Sequence, residues 1–331
     1  LRISFAGGGT DVPPYPETKG GAVLSTAITR YCRVTLRPRA DGKVRVASQD
    51  YDIALTFPAD RVPPNDGRLD LIKGVLRAAG DLDRGCDLLV RSDVAPGSGL
   101  GASSSLVIAA LAVVHAWKRI ELKRYDLAEL AYKIERLDLR MSGGKQDQYA
   151  AAYGGFNYIE FLGRTTRVCP LYLPRPVLNE LDHHLLLWYT GESHPERDLI
   201  GEQAEAFRAG KEAVADSLDE LKQIASEMRD ALEDGNLRLF GRLMAQGWEC
   251  KKRLADGITT GRIDELYNAA CHAGAAGGKL LGSGGGGHLL LFCPDGTRAR
   301  VVNALAARGG HEVPLGFCRH GVDVWEAGAG D

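Results

Sequence analysis

The feature that most limits how this chain can fold is the run Pro96-Gly97-Ser98-Gly99-Leu100-Gly101-Ala102-Ser103-Ser104-Ser105. It follows a short apolar stretch, Cys86–Ser92, and leads into Ser103–Trp117, which is apolar nearly all round. A strand thus feeds a glycine turn, and the turn feeds a helix buried on every side. Glycines let the backbone approach an anion and turn its N–H groups toward it. The following helix adds unpaired N–H groups and the positive end of its dipole. The run is therefore expected to cradle a phosphate, with first-turn hydroxyls facing the anion or a metal ion. The competing reading is a glycine-rich turn with a serine cap. The run lacks a Gly-Lys-Ser/Thr ending and spaces its glycines G-x-G-x-G, which excludes a Walker A loop and the dinucleotide fingerprint.

Strands and helices alternate on both sides of this run, which argues for an α+β or α/β protein. Leu1–Phe5, Val23–Ile28, Arg33–Arg37 and Lys43–Ala47 have strand patterning, and Asp41-Gly42 reads as a hairpin turn between the last two. Helices are expected over Leu69–Ala79, over Asp126–Asp138 with Tyr125-Asp126 as its cap, and over Gln146–Tyr153. Phe156–Phe161 is the next strand, and Arg164–Glu180 reads as proline-interrupted connecting sequence at the seam between two domains. In the second half His184–Tyr189 is a strand. Arg197–Ala255 reads as long helices broken near Gly210 and at Asp234-Gly235-Asn236. Helices over Arg262–Ala273 and Thr297–Ala307 alternate with strands at His288–Cys293 and near Val322–Trp325.

Three further features carry chemistry. Glu135 on a helix and Asp147 in Lys145-Gln146-Asp147-Gln148 offer two carboxylates, as phosphoryl transfer needs one for Mg²⁺ and one for the attacking hydroxyl, against the competing reading of a solvated helical Glu and a loop Asp that caps a turn. Arg2 precedes Gly7-Gly8-Gly9-Thr10-Asp11, a turn whose carboxylate can accept hydrogen bonds from vicinal hydroxyls. Gly282-Ser283-Gly284-Gly285-Gly286-Gly287, between Leu280-Leu281 and an apolar strand, reads as a tight packed loop rather than a linker.

At 331 residues the chain fits two domains, and a net charge of −2 gives no reason to expect nucleic acid or an anionic membrane as partner. The seven cysteines form no C-x-x-C pair and are expected to be reduced thiols, consistent with a cytoplasmic protein. No stretch reaches transmembrane length and no signal peptide opens the chain, which begins at Leu1, so a few native residues are expected upstream.

Together these features resemble the GHMP kinases, with Arg2–Asp11, Pro96–Ser105 and Lys279–Gly287 matching the family's three motifs in order. The resemblance covers nearly the whole chain. Phe5-Ala6-Gly7-Gly8-Gly9-Thr10-Asp11, Gly99–Ser105 and Lys145-Gln146-Asp147-Gln148-Tyr149 are most similar to the branch of sugar 1-kinases holding the D-glycero-D-manno-heptose 7-phosphate kinases and the kinase half of bacterial fucokinase. The resemblance implies an α+β fold of two domains. Residues 1–170 would form an N-terminal α/β domain with a left-handed crossover, and residues 171–331 a ferredoxin-like C-terminal domain.

It also implies ATP bound by Pro96, Gly97, Ser98, Gly99, Leu100, Gly101, Ala102, Ser103 and Ser104, and Mg²⁺ held by Ser103 and Glu135. Asp147 would be the catalytic carboxylate with Arg2 beside it, and Gly8, Gly9, Thr10, Asp11 and Lys145 would meet the sugar. The family's second motif often reads Gly-Leu-Gly-Ser-Ser-Ala. Ala102 replaces the first serine here, which leaves both Ser103 and Ser104 open as the metal ligand. The implied partners are a small-molecule sugar phosphate and ATP, with a homo-oligomer allowed. A distal substrate phosphate would call on Arg30, Arg33 or the loop 191–197 with His194. The rival class, a non-catalytic nucleotide- and sugar-binding sensor, typically lacks the catalytic carboxylate or a motif glycine, and both are present.

Overall fold

The computed structural model describes residues 1–82, 84–191 and 198–328. In chain order the first half is β1 (Arg2–Ala6), α1 (Tyr15–Lys19), β2 (Gly21–Ala27), β3 (Cys32–Arg39), β4 (Lys43–Ser48), β5 (Ile53–Pro58), α2 (Asp70–Ala78), β6 (Gly85–Ser92), α3 (Ala102–Trp117) and α4 (Arg124–Tyr132). A π-helical turn (Lys133–Asp138), α5 (Gln146–Tyr153), β7 (Phe156–Leu162) and β8 (Thr165–Pro170) follow. Beyond them lie α6 (Arg175–His184), β9 (Leu185–Tyr189), α7 (Leu199–Arg208), α8 (Glu212–Glu233), α9 (Leu237–Lys252) and α10 (Gly261–His272). The chain closes with β10 (Gly277–Leu280), β11 (His288–Phe292), α11 (Arg298–Ala306) and β12 (His311–Val313).

Three four-stranded sheets result, ordered β1-β2-β7-β8, β3-β6-β4-β5 and β10-β11-β9-β12. The last is antiparallel throughout. Renumbered within the second half it is the 2-3-1-4 order of a ferredoxin-like sheet, as expected. The sheet β3-β6-β4-β5 is mixed, since β4 runs parallel to β6 while β3 and β5 are antiparallel to their neighbours. Val107, Ile108, Leu111 and Val114 of α3 pack with Val46, Leu88 and Val90 of that sheet in one core. These are the residues that made the helix read as apolar all round.

The other core crosses between the two halves. It joins Leu1, Ile3 and Phe5 of the first strand region to Leu186, Trp188, Met228, Phe240 and Trp248. Phe5 lies 5.2 Å edge-on from Phe240 and 6.1 Å from Phe156. Every residue of β2 is buried, because α5 covers one side of its sheet and α8 packs on it as well.

Four expectations about local structure are corrected. Asp41-Gly42 does link β3 to β4, but the two strands do not pair; β6 lies between them. The link passes the start of β6 at Gly85, where a side-chain carbon would fall 2.3 Å from Lys43 O, so the missing side chain admits the crossing. The helix expected over Asp126–Asp138 starts at Arg124 with Lys123 as an N-cap that makes no side-chain bond, and it ends as the π-helical turn. The supposed connecting segment 164–180 contains β8, paired with β7, and the start of α6. The alternating residues at Val322–Trp325 form no strand. The final described segment instead ties to the first half through Cys318 N–H to Ala27 O and Gly155 N–H to Cys318 O. Among the described residues no helix is long and apolar enough to cross a membrane.

Candidate active site

The strand β6 delivers the chain into the glycine run, where Gly97, Gly99 and Gly101 have φ of +75°, +78° and +72°. Left-handed residues at alternate positions of such a turn can aim N–H groups to one side, the geometry of an anion-binding concavity. Gly101 is the N-cap of α3 and supplies no side-chain bond, so first-turn N–H groups of that helix remain for a ligand. The loop is held from beneath by Arg2 N–H donating to Leu100 O at 3.1 Å, with the Leu100 side chain buried. The second glycine run closes against it. A side-chain carbon on Gly99 would lie 2.6 Å from Leu281 O, and His288 Nδ1–H donates to Ser98 O at 2.7 Å. The run after Leu281 is thus the packed loop its sequence suggested, and its role is to back the phosphate loop.

A cleft of about 250 Å³ opens in front of these loops. Arg2 reaches into it from β1: Nε donates to Asp147 Oδ1 at 2.7 Å and Nη1 to Gly99 O at 2.6 Å. Asp147 sits in the first turn of α5 and lines the cleft. Glu135 lies on the π-helical turn, which shifts it off the regular helical face. It is fully buried; Ser104 Oγ donates to its Oε1 at 2.9 Å and Gln148 Nε2 to its Oε2. Burial pushes its carboxyl above the usual range, opposed by Arg136 and by these two hydrogen bonds. Ser103, one residue earlier, lines the cleft with its side chain exposed.

The third wall is the loop after β1. Gly8, Gly9 and Asp11 line the cleft. Asp11 is buried and accepts from Gly9 N–H at 3.1 Å, Gln146 N–H at 3.0 Å and Gln146 Nε2 at 3.0 Å. Burial raises its carboxyl, the Gln146 amide opposes that, and the charge of Asp147 adds to the rise. Gly144 makes this close docking possible, since a side-chain carbon there would lie 2.0 Å from Asp11 Oδ2.

Two residues expected at the sugar are placed elsewhere. The Thr10 hydroxyl is spent inside, donating to Gly7 O and Ala22 O and accepting from Ala22 N–H. The Lys145 ammonium is held by Glu129 at 2.8 Å and lies over the Tyr132 ring, outside the cleft lining. Pro96 and Leu100 belong to the loop but not to the lining. Arg30 and Arg33 also lie away from the cleft, bonded to Pro314 O and to Asp93. His194 and residues 192–197 lie outside the described residues.

Sequence reasoning missed Gln146, Gln203, Lys251 and the side chain of Lys279 as parts of the cleft wall. Gln146 Oε1 is buried with no partner, so it can accept from a ligand hydroxyl. Gln203 Nε2 donates to Gly9 O, fixing the loop from α7. Lys251 had a legible signal: it continues the buried stripe Phe240, Met244, Trp248 of α9, where a cation is out of place.

A glycine loop at a helix N-terminus, with an Arg–Asp pair and a buried Glu before it, suits phosphoryl transfer, and comparison with known proteins agrees. The GHMP kinases N terminal domain matches residues 70–155 and the GHMP kinases C terminal model matches residues 228–311. A D-glycero-alpha-D-manno-heptose 7-phosphate kinase of Campylobacter jejuni is 32% identical over 98% of this chain and 97% of its own. The chain is a GHMP kinase. A D-glycero-D-manno-heptose 1-phosphate kinase from Bacteroides thetaiotaomicron superposes with a TM-score of 0.82 at 31% identity, covering 98% of both chains. Galactokinase of Lactococcus lactis, solved with galactose, superposes at 0.79 over 97% of this chain and 92% of its own; at 21% identity that likeness concerns the fold alone. ATP is the phosphoryl donor of this family of kinases.

Proposed function

We propose that this GHMP kinase transfers the γ-phosphoryl of ATP to the anomeric hydroxyl of D-glycero-D-manno-heptose 7-phosphate, giving the 1,7-bisphosphate. The reaction would serve nucleotide-heptose synthesis for surface polysaccharide in the cytoplasm. The observation that carries the reading is Asp147, held by Arg2 at 2.7 Å between the phosphate loop and the Asp11 loop. Full-length similarity to the Campylobacter jejuni heptose 7-phosphate kinase supports the choice of sugar.

In this scheme Asp147 accepts the proton of the attacking hydroxyl and aims its oxygen in line with the γ-phosphorus. Because the transition state of such transfers is loose, placement and charge balance matter more than basicity. Arg2 orients the Asp147 carboxylate, and its guanidinium faces charge building on the transferred group. Asp11 shapes the sugar loop through Gly9 and Gln146, and the free Gln146 Oε1 accepts from a sugar hydroxyl.

The donor set fits Mg²⁺. Glu135 is a buried carboxylate whose contacts are a hydroxyl and an amide rather than a cation, and Ser103 exposes an oxygen to the same cleft. Mg²⁺ favours such hard oxygen ligands and takes the rest of its shell from water and nucleotide phosphates. When bound, the ion would offset negative charge on the nucleotide phosphates. We assign Ser103 and Glu135 to it, with Ser104 holding Glu135 in place.

An ADP-release assay over heptose 7-phosphate, mannose, fucose and galactose tests the reading. Preferred turnover of heptose 7-phosphate is expected; turnover of fucose or galactose in its place would reassign the substrate.

A further inference from the structure

Two lysines on the cleft wall have no role in the scheme above. Lys251 near the end of α9 and Lys279 on β10 are 7% and 6% exposed, and both line the cleft. Neither meets a carboxylate among the described residues. Lys251 Nζ donates to Leu280 O at 2.8 Å and Gly282 O at 2.7 Å, and Lys279 Nζ donates to Phe5 O at 3.2 Å. The ammonium groups are therefore placed by neutral backbone oxygens, which orient a charge without cancelling it. Arg2 is close enough to act on both, and among the described residues its one carboxylate partner is Asp147.

We propose that Lys251 and Lys279, with Arg2, form a buried subsite for a phosphomonoester dianion of the reacting sugar phosphate. The clustering costs free energy in the empty protein, since a buried ammonium without a counter-ion is among the most expensive groups to bury. Burial, reinforced by Arg2, pulls the Lys279 amine down to about 7, and burial with the charges of Lys279 and Arg2 pulls Lys251 well below its ordinary value. A dianion entering the cleft reverses these penalties and is the chemistry that would make such an arrangement worth keeping. Lys251 also grips the carbonyls at the start of the second glycine run, so an anion there is coupled to the loop that backs Gly99. The dianion has two sources, the phosphate the sugar already carries or the phosphoryl group in transit, and both rest on the sugar-phosphate kinase reading above.

The test uses the full chain with Lys279→Met and Lys251→Met, which keep side-chain length and remove charge. Inorganic phosphate alone is the first probe, read as the shift in thermal midpoint with and without it, so this arm does not depend on which sugar is the substrate. The proposal expects phosphate to raise the wild-type midpoint, the apo variants to be as stable as wild type or more so, and the phosphate response to vanish. Phosphate affinity should fall roughly tenfold to a hundredfold, the range for losing a charged hydrogen bond. A pair of purely structural struts predicts the opposite: lower apo stability and an unchanged phosphate response. If Lys251→Met fails to fold, Lys279→Met, which gives up a single long bond, carries the test.

Steady-state kinetics on heptose 7-phosphate and on the unphosphorylated heptose separate the two sources. A collapse of the preference for the phosphorylated sugar in the variants assigns the subsite to the sugar's own phosphate. An equal fall of kcat on both assigns it to the transferred group. Variants with wild-type phosphate response, KM and kcat would overturn the proposal. A wild-type chain that binds phosphate through these lysines but turns over neither heptose would keep the subsite and overturn the substrate.

Discussion

Arg2 Nε donates to Asp147 Oδ1 at 2.7 Å while its Nη1 donates to Gly99 O at 2.6 Å, joining positions 145 and 97 residues away in sequence. One buried guanidinium thereby fixes the carboxylate proposed as proton acceptor relative to the glycine loop. The arrangement is charge-assisted and mostly shielded from water, where such bonds are strongest. It makes the two halves of the reaction, nucleotide and acceptor, share a single reference point.

Replacing Asp147 with Asn keeps the shape but removes the charge that accepts the proton. The expected result is a fall in kcat of about a hundredfold to ten-thousandfold, the usual contribution of a positioned acid or base. ATP affinity, measured by calorimetry on the same variant, should stay near wild type. Near-normal turnover would remove Asp147 from its role.

Glu135→Gln separates metal binding from packing. The amide can still meet Ser104 and Gln148, and it no longer carries a charge raised in energy by burial. Thermal stability should therefore hold or rise while the Mg²⁺ concentration needed for half-maximal rate increases. An unchanged Mg²⁺ titration would exclude Glu135 as a ligand.

Gly99→Ala tests the packing of the two glycine runs. The residue has φ of +78°, and the added carbon would sit 2.6 Å from Leu281 O. The backbone conformation alone costs about 1–2 kcal/mol for a residue with a side chain, and the clash adds to it. The variant should unfold at lower temperature and show a raised KM for ATP, whereas Gly42→Ala, a surface turn with open space around it, should leave KM for ATP unchanged.

The buried lysines give a pH dependence of fixed sign. Lys279 titrates at about 7 in the folded chain and at an ordinary 10.5 when unfolded. Between those values the unfolded chain binds more protons, so this group makes the apo protein more stable as pH rises from about 7 toward 10.5. Lys251, also depressed, contributes in the same direction. Lys279→Met should flatten the rise in thermal midpoint between neutral and alkaline pH, and the double Met variant should flatten it further. A slope identical to wild type would mean that Lys279 is neutral-insensitive in the fold.

Phe5 sits where the cores of the two halves meet, against Phe240 and Phe156. Truncation to Ala should cost about 3–5 kcal/mol, the range for buried aromatic residues. Chemical denaturation would show it as a lower midpoint for the whole chain; a loss confined to one half would contradict a shared core.

Local patterns carried much of this site in the sequence, because glycine turns and apolar helices obey short-range rules. The glycine run and α3 were legible for that reason, whereas Arg2, Glu135 and Asp147 drew their expected roles from the resemblance to the GHMP kinases. What escaped was decided by distant partners. Nothing near Asp41-Gly42 says that β6 will enter between β3 and β4. Thr10 has the chemistry of a sugar ligand, but Ala22 on β2 takes its hydroxyl. Lys145 stands two residues before Asp147 in sequence, yet Glu129 one helix earlier claims its ammonium. Lys251 lies 104 residues beyond Asp147, and only the packing of α9 on β10 brings it to the same cleft.

The most direct test of the account is phosphorus NMR of the product formed from ATP and D-glycero-D-manno-heptose 7-phosphate, with proton coupling to locate the new ester. The account predicts one ADP per new phosphate and a phosphorus signal coupled to the anomeric proton, both abolished in Asp147→Asn. A new phosphate coupled to any other sugar proton, or equal product from Asp147→Asn, would contradict it.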